Sequence, residues 1–120
     1  ARTGNSKKEI KKYIEKNYGY NLSRPLSLLR PFAKVDMSCQ SSVPLAIRCF
    51  LESRSWESCI RNVYSVLCDT DTVACIAGGI AEAFYHGTGQ DDMALARKYL
   101  AVPDASGRQD MTLFNWATMN

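Results

Sequence analysis

A run of small and apolar residues, Val73-Ala74-Cys75-Ile76-Ala77-Gly78-Gly79-Ile80-Ala81, continues past a lone Glu82 to Phe84 and Tyr85. No other stretch constrains the chain as much. A segment apolar on every side is normally a buried helix, and the run predicts one from Asp71 to Tyr85. Its two adjacent glycines cost about 1 kcal/mol each relative to alanine, a loss that close approach of another backbone or a ligand would offset. Directly before the run stands Asp69-Thr70-Asp71-Thr72. Carboxylates at a helix start are favoured by its exposed N–H groups and its dipole. One acid suffices as a cap; the second carboxylate and the two hydroxyls leave oxygens over, which suits a hard cation such as Mg²⁺. Plain capping is the commoner use of such residues, and from spacing alone both readings stand.

The rest of the chain reads as helices of ordinary amphipathic kind. Ser6 and Glu9 form a capping-box pattern opening a first helix that ends at Gly19. Ile10, Tyr13, Ile14 and Asn17 share one face, and the lysines at 7, 8, 11, 12 and 16 fill the solvated remainder. Residues 20–41 read as mostly irregular, with Arg24 and Arg30 pushed toward extended geometry by Pro25 and Pro31. So long a connection is uncommon without a function. Its polar end, Asp36 to Ser42, reads as a ligand-contacting loop or a plain surface loop. Ser42 is the expected cap of a second helix with Pro44 in its first turn and Val43, Ala46, Ile47, Phe50 and Leu51 as its apolar face. Ser55 caps a third, whose core stripe is Trp56, Cys59, Ile60, Val63, Tyr64 and Leu67. His86-Gly87-Thr88-Gly89 is a turn in which His86 meets the helix-end carbonyls, with a base or ligand role as the alternative. A fifth helix spans Gln90 to Leu100, with Asp91 and Asp92 at its start and Arg97 and Lys98 at its end. Phe114 and Trp116, within Met111 to Trp116, form a short strand or turn against the bundle or anchor a partner.

The expected class is therefore all-α, a single domain over 1–120 with about five helices and one modest core. With 46% hydrophobic and 22% charged residues the composition is that of a soluble globular chain. A net charge of +3 is mild for a nucleic-acid binder. The five cysteines hold no C-x-x-C pair, and the lone His86 lies far from most of them, which argues against zinc. Buried, reduced thiols and a cytoplasmic location are expected; neither a signal peptide nor a bilayer-spanning run is seen, so no membrane partner is expected.

Three stretches resemble the C-terminal part of the ADP-ribosylglycohydrolase family, the all-helical enzymes related to dinitrogenase-reductase-activating glycohydrolase. Ser42-Val43-Pro44-Leu45-Ala46-Ile47 is similar to the family's Ser-Val-Pro-x-Ala-Ile helix start. Asp69-Thr70-Asp71-Thr72 with Ala74 and Ala77-Gly78 is similar to its Gly-Gly-Asp-x-Asp-Thr metal motif, although Leu67-Cys68 stands where the family has two glycines. Tyr18-Gly19-Tyr20-Asn21-Leu22 is similar to the bacterial members. The likeness covers residues 5–87; residues 101–120 are an unmatched tail. It implies an orthogonal helical bundle and a two-Mg²⁺ site with Asp69, Asp71 and Thr72 as ligands. It also implies nucleotide contacts from Ser38, Gln40, Ser41 and Ser42. The family takes its other ligands from a Thr-Asp-Asp-Thr type motif in an N-terminal half, and these 120 residues hold none. The implied function is half of an ADP-ribose hydrolysis site, inactive by itself. ADP-ribose or an ADP-ribosylated protein is the ligand if activity is completed. The alternative is a protein-binding inhibitor or regulator, for example one encoded by a mobile element and acting on a host complex. Either way a second protein chain, or a second copy, is expected to cover the exposed bundle face.

Overall fold

The computed structural model describes residues 1–89 and 92–103, and every regular element among them is helical. In chain order these are α1 (Lys7–Tyr18), α2 (Leu26–Leu29), a 3₁₀ turn (Arg30–Phe32), α3 (Cys39–Leu51), α4 (Trp56–Tyr64), α5 (Thr70–Tyr85) and α6 (Asp92–Leu100). Residues 1–89 form one compact unit, and α6 belongs to a second that begins at Gln90. No described helix is long and apolar enough to cross a membrane. The expectations for Asp91, Phe114 and Trp116 fall outside the described residues.

The core lies where α3, α4 and α5 meet. Ala46, Cys49 and Phe50 from α3, Cys59 and Val63 from α4, and Val73, Ala77 and Ala81 from α5 are all buried. The spacing of the α5 set, every four residues, is that of one helix face. Phe50 is the largest buried side chain among the described residues and meets the edges of Phe84 and Tyr85, with ring centroids 5.2 and 6.4 Å away. Burying a ring of that size stabilises the fold by about 1.5–3 kcal/mol.

The two glycines of α5 differ. Gly78 is buried against α4: a Cβ there would meet Ile60 Cδ1 at 3.2 Å, and the Gly78 carbonyl accepts a hydrogen bond from Trp56 Nε1 at 3.2 Å. Gly79 faces open space. The helix is thus buried on one side only. Cys75 and Gly79 are exposed on the other, contrary to burial all round.

Helix α1 has both of its expected ends. Ser6 and Glu9 cap each other, and Gly19 closes the helix at φ 70°. Its Lys7, however, is no solvated lysine. The ammonium donates to the carbonyls of Leu51, the last residue of α3, and of Ser53 just beyond it, and lies 5.2–5.6 Å from the ring centroids of Phe50, Phe84 and Tyr85. Carbonyls left over at a helix C-terminus and the negative faces of three rings all favour a cation. Ser53, itself buried, donates to Phe50 O at 2.6 Å and shares a 2.8 Å hydrogen bond with the Tyr85 hydroxyl.

Residues 20–38 are more regular than expected. Pro25 precedes the single turn of α2, and Arg30 is helical despite Pro31, because the chain tightens there into the 3₁₀ turn. The Arg30 guanidinium is held by Ser65 Oγ at 2.9 and 3.1 Å. Leu22 and Leu26 are buried, and Glu52 ties the segment to α3 by accepting from both Leu26 N and Arg48 Nε at 2.8 Å. Helix α3 starts at Cys39, with Ser38 rather than Ser42 as its cap residue and Pro44 inside the helix. Helix α4 has its Ser55 cap but stops at Tyr64, so Tyr64 and Leu67 are exposed and Val66 takes the buried place. Of the five free cysteines only Cys49 and Cys59 are buried; Cys39 and Cys75 are exposed.

Candidate functional site: the start of α5

Asp69 is the cap residue of α5, yet its side chain makes no capping hydrogen bond. Thr70 turns its hydroxyl back to the Cys68 carbonyl at 3.3 Å. Asp71, two residues later, lies in the first turn of the helix. Its carboxyl is held below the usual carboxylate range, first by a hydrogen bond with the Asp69 carboxyl and then by the N–H groups of Thr72 and of Asp71 itself. The two carboxyls therefore lie side by side, and Asp71 and Thr72 are exposed. Of the three residues expected to meet a metal, the structure sets the Asp69 and Asp71 carboxyls together, and Thr72 contributes its backbone N–H beside Asp71. Leu67 faces solvent, and Cys68 points its thiol at the Val63 carbonyl, 3.8 Å away.

Two carboxylates and a hydroxyl are the donor types that Mg²⁺ takes, and they fit part of its six-oxygen shell. Among the described residues no three His, Cys, Asp or Glu side chains cluster closely enough to hold a metal ion. His86 does not join the site. It is the C-cap of α5, in the left-handed conformation at φ 59°, and its backbone N–H reaches the Glu82 carbonyl. Sixteen residues of helix place it about 24 Å from Asp69.

Ser38, Gln40, Ser41 and Ser42 are placed by the start of α3 rather than by a loop. Ser38 N donates to Asp36 Oδ1 at 2.9 Å, and that hydrogen bond lowers the Asp36 pKa. This turn starts the helix four residues earlier than Ser42 would. Ser38 and Gln40 are exposed, whereas Ser42 is buried with its hydroxyl 3.4 Å from the Asp36 carbonyl. A ligand passing here meets Ser38, Gln40 and Ser41.

Ser41 also lines a cleft of about 520 Å³ between residues 21–34, α3 and the Val66–Leu67 turn. Arg24, Lys34 and Arg48 supply its charge, and Leu29, Phe32 and Leu67 are among its apolar walls. Sequence reading missed this cleft. The signal available was the unusual length of the 20–41 connection, with cations flanking Leu29 and Phe32. No protein-family model, curated protein or solved structure matches the chain.

Proposed function

We propose that the chain is an ADP-ribosylglycohydrolase-like piece carrying half of a Mg²⁺-dependent hydrolysis site, in an orthogonal-bundle arrangement, and that it is inactive by itself. One observation carries the reading: the Asp69 carboxyl caps nothing and lies beside that of Asp71. Asp69, Asp71 and Thr72 would hold Mg²⁺, which when bound supplies a polarised water for attack at the anomeric carbon. The protein's own part is to keep Asp71 ionised and to hold both acids at the start of a helix whose other face is buried in the core. The positive end of the α5 dipole opposes a cation there, and the paired carboxylates offset it. Three donors leave the remaining ligands to groups outside the described residues or to another chain, and no near-neutral base stands within reach of the acids among the described residues.

Two measurements test this. Incubation with Mg²⁺ and an ADP-ribosylated protein is expected to release no ADP-ribose; turnover that disappears in Asp71→Ala overturns inactivity of the chain alone. Mn²⁺ is expected to broaden the amide resonances of residues 69–72, saturating only above about 1 mM. Unchanged resonances there would end the metal reading.

The exposed side of α5 favours a second role, a regulator covered by another protein. Cys75 and Gly79 lie open to solvent on a helix otherwise built like a core element. Dispersed monomers by light scattering, with no dye-binding patch, would count against it.

A further inference from the structure

We propose that the cleft between residues 21–34 and α3 is a docking groove for an acidic segment of another protein that inserts a large apolar side chain. The proposal depends on neither reading above, since Asp69, Asp71, Thr72 and the open face of α5 do not line the cleft. Leu29, Leu45 and Val66 give its lining a largely apolar character, and Phe32 and Leu67 in that lining stand 86% and 61% exposed. Exposure of that degree for a phenylalanine beside a concave surface is the pattern of an anchor site.

The charges are one-sided. Among the described residues, three cations and no acidic side chain line the cleft. Arg48 is already engaged by Glu52 and the Leu22 carbonyl. Arg24 and Lys34 are exposed and enter no ion pair among the described residues. Asp36 feels the charge of Lys34 but is turned to Ser38 N, outside the lining. Two uncommitted cations in a largely apolar lining complement a partner with carboxylates flanking a leucine or an aromatic residue. A second copy fits poorly, because a two-fold contact would set cations against cations. Nucleic acid fits poorly too, because two open cations offer few phosphate contacts.

The test is fluorescence anisotropy on the full chain. The probe is a fluorescein-labelled synthetic peptide of about twelve residues in which glutamates alternate with leucine and tryptophan. Saturable binding that weakens with salt is expected. Arg24→Glu with Lys34→Glu should weaken it at least about tenfold, and Phe32→Ser by a similar factor. Lys12→Glu, on the exposed side of α1, should leave it unchanged. All these positions are exposed, and far-UV circular dichroism checks that each variant keeps its helices; if Phe32→Ser loses them, the charge-reversed pair decides alone. Equal binding of the same peptide with lysines for glutamates overturns the proposal, as does wild-type affinity in the charge-reversed pair. Binding of laurate but not of the peptide assigns the cleft to a small anionic amphiphile and overturns it as well. So does concentration-dependent dimerisation abolished by Phe32→Ser.

Discussion

Replacing Lys7 by methionine isolates the polar contact that docks α1 on the core, beside the apolar packing of Ile10. Methionine keeps an unbranched apolar stem of similar length and removes only the ammonium. The Leu51 and Ser53 carbonyls then lose a charged donor, and the rings of Phe50, Phe84 and Tyr85 lose the cation near their faces. A hydrogen bond from a charged group is worth about 1.5–3 kcal/mol, and a partly desolvated cation–π contact about 1 kcal/mol. These contributions share one ammonium and do not add. One effect runs the other way: Lys7 is the first residue of α1, and removing a cation there relieves about 0.3–1 kcal/mol of unfavourable dipole interaction. The loss dominates, for a net destabilisation of about 2–3 kcal/mol, and for a unit of this size Tm falls by about 10–20 °C. Thermal unfolding followed by circular dichroism measures it, with Lys12→Met as the solvated control, expected within about 0.5 kcal/mol of wild type. Equal melting of the two variants would refute the docking role of Lys7.

Four further outcomes follow from the same geometry. His86→Gly relieves a left-handed backbone and should raise stability by about 1 kcal/mol in urea titration. Gly79→Ala places a methyl group in open space and should also gain about 1 kcal/mol, whereas Gly78→Ala must push Ile60 aside and gains less or loses. A thiol reagent at mildly alkaline pH should label exposed Cys39 and Cys75 first; burial pushes Cys49 up to about 12 and Cys59 to about 11, so both should stay unlabelled until the chain unfolds. Because these folded-state values lie above those of the unfolded chain, the unfolded state releases its protons first. The stability from keeping the two thiols neutral is whole below the unfolded thiol pKa. It then declines by about 1.4 kcal/mol per pH unit per thiol until pH passes the folded values.

Helix ends written in local chemistry were legible. Ser6 with Glu9, Gly19, Ser55 and the acids before α5 each mark a boundary that the structure keeps within a residue or two. The short α2 and its 3₁₀ continuation were not, because seven residues with Pro31 among them carry too little periodicity to read. The reach of α4 was overread: the Leu67 spacing is helical, but Ser65 bonds back to the Asn62 carbonyl at 2.7 Å and the helix closes before it. At the candidate site, the spacing of Asp69 and Asp71 already placed them together at one helix end. That Asp69 makes no capping hydrogen bond was not legible: it stands at ψ 82°, a value no residue type announces. The role of Lys7 was invisible for another reason. Its partners lie 43 to 78 positions away, and a lysine among lysines looks like surface until the aromatic rings are in place.

The helices that share the core, α3, α4 and α5, are neighbours along the chain and are joined by short turns. Such local contacts are made early and fast during folding. Attachment of α1 is of the opposite kind, since the Lys7 to Ser53 bond closes a span of 46 positions. The three-helix stack can therefore assemble with its aromatic socket still vacant, and α1 arrives last, as a plug. In native-state hydrogen exchange the order runs backwards: amides of α1 should trade their protons well before those of α3 and α5, through an opening that leaves the stack intact.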